Sequence, residues 1–167
     1  MRTFAVLCAL ILLAGCSSEP SSSSPAPVTA TSVVQEAVES VDAGAVVKRL
    51  KDADIGITAV AVQDENTDPN NLIGRPSGYV SRASADLPGG SEQGDKYTVA
   101  RGLVVEVFAT AGQAKTRSDY INAVQQGAAV LGTEWHYFTG GGTALVRVSG
   151  TLKPSQAKKV EAAVAAL

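Results

Sequence analysis

Leu103-Val104-Val105-Glu106-Val107-Phe108-Ala109 is the segment that most narrows what this 167-residue chain can become. It is nearly continuous in apolar residues, which reads as a central β-strand. Thr110 and Gln113 directly behind it have capping-box spacing and predict a helix. Ala114, Ile121, Val124, Ala128 and Leu131 share one stripe of that helix, and Gly132 is its predicted stop.

The flanking segments supply the neighbours such a strand needs. Ser32 with Gln35 has the same capping spacing, and Val34, Val38, Val41 and Ala45 recur at helical intervals. A helix is predicted over 33–52, divisible near Gly44, with Asp42 capping a second piece whose inner face is Val46, Val47 and Leu50. Residues 57–62 alternate as a strand, and 79–84 read as another short one. Residues 134–139 and 143–149 read as a hairpin across Gly140-Gly141-Gly142. Pro154 opens a last helix that turns Ala157, Val160, Val164 and Leu167 inward. An α+β domain over 33–167 buries all these stripes, with one small, mainly antiparallel sheet and the helices packed on a single face.

The N-terminus carries an address. Arg2, the apolar run Phe4–Leu13 and then Leu13-Ala14-Gly15-Cys16 form the pattern of a bacterial lipoprotein signal peptide over 1–15. Resemblance to that class implies cleavage before Cys16 and a lipid on its Sγ, which places the protein on the outer side of the cell membrane. The run is too short for a membrane span of about 20 residues. Cys8 and Cys16 are the only cysteines, so the mature domain is left without a thiol for a disulfide, a metal or a nucleophile. Residues 16–32, rich in Ser and Pro, are predicted to be a disordered tether with a reach on the order of 20–25 Å. Removing 1–15 takes away Arg2 and no acid, moving the formal charge from −2 to −3. Clustered Lys and Arg are lacking, which argues against nucleic acid as a partner.

Residues 64–79 are the densest in polar and turn-forming side chains. Asp64, Asn66 and Asp68 begin a calcium-loop pattern, but Pro69 stands where its glycine belongs and Arg75 where its last carboxylate belongs. Neither a metal nor a cofactor is therefore expected, and a calcium-dependent module is kept only as an alternative. A structural reading makes Asp68 the N-cap of one helical turn, with Pro69 first and Gly74 as a left-handed stop. Arg75 is then free to pair with Asp64 or Asp68. Such a loop can also recognise a ligand through Asp64, Asp68, Arg75 and Tyr79.

Thr67-Asp68-Pro69-Asn70, Leu72-Ile73-Gly74-Arg75-Pro76 and Tyr79, with Val105–Phe108, the Ala-Lys-x-Arg-x-x-Tyr helix from Ala114 to Tyr120, and Leu145–Ser149, resemble a family of small secreted or lipid-anchored proteins of Gram-positive bacteria. The resemblance covers about 46–167. It implies export and supplies no catalytic residue. The glycine-rich loop from Leu87 to Asp95 departs from it.

His136 is the only histidine, and as a strand residue among aromatics it reads as a packing or surface side chain. Glu106 interrupts an apolar strand, and Arg147 can meet it across the sheet if their faces coincide. With Trp135 and Tyr137 beside that pair, the outer sheet face becomes a candidate binding surface. The expected function is non-enzymatic binding of a protein or envelope component. An envelope-polymer hydrolase or transferase using Asp64, Asp68 or Glu106 is the alternative.

Overall fold

In the computed structural model of the protein, residues 41–167 are described. The signal peptide, Cys16, the tether and the helical piece opened by Ser32 lie outside the described residues.

The apolar run sits in the middle of a sheet, as its composition requires. It forms β3 (Gly102–Val107), with all six residues buried. β2 (Ser81–Asp86) and β5 (Ala144–Ser149) flank it, and β1 (Ala59–Gln63) and β4 (Glu134–Thr139) are the margins. The order is β1-β2-β3-β5-β4, with every neighbouring pair antiparallel. The β4–β5 hairpin turns through Gly140, Gly141 and Gly142, which have φ of 60°, 64° and 88°, a conformation that glycine adopts without a Cβ penalty.

Among the described residues three α-helices accompany the sheet. α1 (Ala43–Asp52) begins at Asp42, whose carboxylate accepts from the Gly44 and Ala45 N–H groups at 2.8 and 3.1 Å. α2 (Ala111–Gly127) opens on the predicted capping box, with Gln113 N–H to Thr110 Oγ1 and Thr110 N–H to Gln113 Oε1 both at 3.2 Å. α3 (Pro154–Ala165) starts at its proline.

Strand alternation divides the sheet into two unlike faces. Ala83, Ala85, Leu103, Val105, Val107, Val146 and Val148 form one core with Val46, Val47 and Leu50 of α1 and Val160 and Val164 of α3. The α+β class and the antiparallel sheet agree with the sequence reading, but the helices do not all share this face. α2 lies over the opposite one, where its Arg117 and Ser118 reach Glu106 of β3 and His136 of β4. The reason lies in β3: Val104 and Glu106 on its second face are as fully buried as Leu103 and Val105 on the first, so that face also needs cover.

α2 itself departs from its predicted stripe. Ala114, Ser118 and Ile121 are its buried residues, while Val124 and Leu131 are 37% and 58% exposed. The helix ends at Gly127, and a short 3₁₀ turn over Ala129–Leu131 leads to Gly132.

Candidate functional site

The second sheet face is charged and, at its middle, buried. Arg82 of β2 stands directly opposite Glu106 of β3 in the strand register, and Arg147 of β5 directly opposite His136 of β4. Glu106, with no exposed surface, lies between Arg147 Nη1 at 2.7 Å and Arg117 Nε at 3.1 Å. The predicted Glu106–Arg147 pair thus forms, but in the interior and not on a solvated face. Arg147 turns its other side to Glu134, donating from Nε at 2.8 Å and Nη2 at 2.9 Å. Burial works against the charged Arg147 guanidinium, yet the bonds to Glu134 and the charge of Glu106 push its pKa up. Burial likewise raises the Glu134 carboxyl, but hydrogen bonds from His136 and Arg147 override it and hold it down at about 2.

His136 completes a chain of three groups. Nε2 lies 3.2 Å from Glu134 Oε2, and Nδ1 lies 2.7 Å from Ser118 Oγ. A carboxylate only accepts, so in the uncharged ring Nε2 carries the proton and Nδ1 accepts from the serine hydroxyl. The order serine, histidine, carboxylate is that of an activated nucleophile. Here Ser118 is 5% exposed beneath α2, and the histidine side chain 6%. What the triplet does is fasten α2 to β4.

The loop predicted to carry a ligand is held by the same device, a carboxylate turned inward. Asp68 accepts from the N–H groups of Asn70, Leu72 and Ile73 at 3.1, 2.7 and 3.2 Å and from the Tyr79 hydroxyl at 2.6 Å. Burial raises its pKa, but these bonds, led by that from Tyr79, leave it lowered. Burial and the Asp68 bond together raise the Tyr79 hydroxyl. Asp68 caps a series of turns and not the helical turn expected, because Asn71 takes φ 51° and breaks the helix. Gly74 has φ 70°, in keeping with the predicted left-handed stop.

Arg75 bonds Asn71 Oδ1 at 2.9 Å and pairs with neither Asp64 nor Asp68. The cation beside Asp68 is Arg82, with Nε at 3.7 Å from Oδ1, Nη1 on Gln63 and Nη2 on the Tyr97 carbonyl. Burial pushes the Arg82 guanidinium down. Asp64, lowered chiefly by the Thr67 hydroxyl, spends its carboxylate on Thr67 and the Asn66 N–H group. Asp64 and Asp68 are thus engaged by different partners, and among the described residues no group of three or more His, Cys, Asp or Glu side chains is placed to hold a metal.

Trp135 and Tyr137 are not beside this network. The register pairs them with Val148 and Val146, on the face of α1 and α3, and the Tyr137 hydroxyl donates to the Ala157 carbonyl at 3.4 Å. The candidate outer surface joining them to Glu106 and Arg147 does not exist. Glu106, Arg147 and His136 occupy the other strand parity.

The second face opens to solvent at one end. A cleft of about 600 Å³ runs between Leu72–Tyr79 and the first half of α2. Beneath it Tyr79 packs edge to face against Phe108, ring centroids 5.9 Å apart, with both rings buried. Gln113, Thr116, Arg117 and Tyr120 form the α2 wall, and Tyr120 is 61% exposed. Of the predicted binding residues only Tyr79 lines it. The sequence pattern does not single out Arg82, Arg117, Ser118, Glu134 or Phe108 as site residues. The available signal was the polar Ser118 at a position where α2 repeats its apolar stripe.

Among the described residues no helix is long and apolar enough to cross a membrane. Compared with protein-family models, curated proteins and solved structures, the chain matches none.

Proposed function

We propose that this is a lipid-anchored, extracytoplasmic binding domain without enzymatic activity, taking up a protein or envelope component in the cleft beside α2. One observation carries the reading. Within the buried network Asp68, Glu106, Ser118, Glu134 and His136 are spent on one another and on the fold, while the open cleft has the exposed Tyr120 at its rim and no carboxylate or histidine in its lining. A cleft open to solvent, with one exposed aromatic at its rim and no acid–base group in its lining, favours binding over chemistry. The anchoring half rests on the Leu13–Cys16 motif alone.

A photo-crosslinking amino acid in place of Tyr120, in living cells, tests the cleft. Adducts should form at this rim position and vanish when Thr116→Trp fills the cleft; equal adduct yield from both would reject it. Cys16→Ser tests the anchor, since the thioether supplies the membrane affinity. The variant should appear in the medium or remain unprocessed, and a correctly cleaved variant still held in the membrane would rule lipid anchoring out.

A further inference from the structure

Among the described residues β1 is a margin of the sheet, and its own sequence carries none of the usual protection. Its sequence, Ala-Val-Ala-Val-Gln, has no proline and no charge, and its five residues pair with β2 without a bulge. Sheet margins are normally blunted by such devices because their outer row of N–H and C=O groups templates another strand. Val60 and Val62, on the α1 side, are 41% and 61% exposed. On the other side Ala59 and Ala61 line a second cleft of about 340 Å³, closed by Ser84, Asp86, Lys96, Tyr97 and Arg101.

The margin therefore presents two different edges to anything that lies along it. One is aliphatic; the other is small-residue backbone beside a cleft. Asp86 and Arg101 neutralise each other across 2.5 Å, so Lys96 leaves the lining with a net positive charge. Tyr97 is held over the cleft in a left-handed conformation, φ 67°, by the Arg82 guanidinium on its carbonyl at 2.6 Å. A non-glycine residue in that conformation persists only where its surroundings fix it, so the cleft wall is preformed.

We propose that β1 receives an extended segment of a partner protein by antiparallel or parallel strand addition, with aliphatic side chains over Val60 and Val62 and acidic ones beside Lys96. Main-chain hydrogen bonds supply affinity in this mode, and pockets for alternate side chains supply selectivity. A second copy of this chain fits less well. The residues β1 itself would offer to the cleft are Ala59, Ala61 and Gln63, none of them acidic. This surface is distinct from the cleft beside α2, and neither depends on the other.

The test uses the full chain in detergent and a blocked, fluorescein-labelled peptide of alternating Glu and Val, read by anisotropy. Saturable binding is expected, weakened about tenfold or more when alternate peptide nitrogens are methylated, since that removes the ladder donors. Lys96→Glu, at an exposed position, should reverse the preference toward an alternating Lys and Val peptide. Equal binding of the methylated peptide, no response to Lys96→Glu, or no saturable binding overturns the proposal. A dimer whose β1 amide resonances shift with protein concentration, and which ignores the peptide, also overturns it and assigns the margin to a second copy.

Discussion

Glu106 shows how much depends on one side chain when charge is buried in matched pairs. Its carboxylate is the shared partner of Arg117 and Arg147, and none of its surface reaches water. Removing one member of a buried pair leaves its partner's charge uncompensated, typically at 3–5 kcal/mol. Glu106→Gln should therefore cost about 3 kcal/mol or more in urea unfolding. A loss below about 1 kcal/mol, the range of exposed pairs, would mean that water reaches the site. Gly74 is decided by backbone and not by charge. With φ 70° and only Glu65 Oε1 near the place of a Cβ, at 4.0 Å, it has room for a side chain but not the conformation for one. Gly74→Val should lower stability by about 1–3 kcal/mol, and an unchanged melting midpoint would contradict the left-handed stop. Asp68 and Tyr79 were legible as important residues in the sequence. Their roles were not, because the contacts of Asp68 with the Tyr79 hydroxyl and with Arg82 of β2 belong to the folded domain and leave no local pattern in the sequence.

At the scale of elements the contrast is between two ways of attaching a helix. α1 buries Val46, Val47 and Leu50 against the sheet, a footing drawn from apolar area. α2 is seventeen residues long yet buries only Ala114, Ser118 and Ile121, and polar clamps hold it: Arg117 to Glu106, Ser118 to His136, and Gln125 to Glu134 at 3.0 Å. Elements with few buried apolar contacts open at lower free energy than the global transition. Arg117→Met keeps the stem and removes the clamp to Glu106, whose charge Arg147 still meets. Amide exchange in α2 should then rise about tenfold, corresponding to about 1.4 kcal/mol, while β3 exchange changes far less. Equal acceleration in both would show that α2 opens only with the whole domain. The elements themselves were readable because their signals are local: the Thr110–Gln113 box, Asp42 before α1, Pro154 before α3 and three glycines in the hairpin turn. Their arrangement was less so. Trp135 and Tyr137 alternate correctly as strand residues, but period-two alternation alone does not say which parity faces the larger core.

For the whole molecule, β3 held the information that the one-face arrangement missed. A strand apolar on both sides requires a layer on each, so Leu103–Val107 already implied that one helix must cross to the second face. That face closes on a balanced set, Arg82, Arg117 and Arg147 against Asp68, Glu106 and Glu134, which ties the fold to pH. Glu134 falls from an ordinary value of 4.5 to about 2 in the folded state. A depressed carboxyl adds stability that is fully present above its unfolded value and disappears as pH falls through the folded one. By proton linkage the Glu134 contribution is about 3 kcal/mol at neutral pH, lost between about pH 4.5 and 2, with Asp68 acting in the same direction. Urea unfolding at a series of pH values should accordingly be nearly flat from 7 to 5 and fall steeply below. Glu134→Gln should be less stable at pH 7, because Arg147 loses an ionic partner, and should show a shallower fall in acid. If the variant keeps the slope of the natural chain between pH 4.5 and 2, Glu134 is not the group responsible and the acid sensitivity belongs elsewhere in the fold.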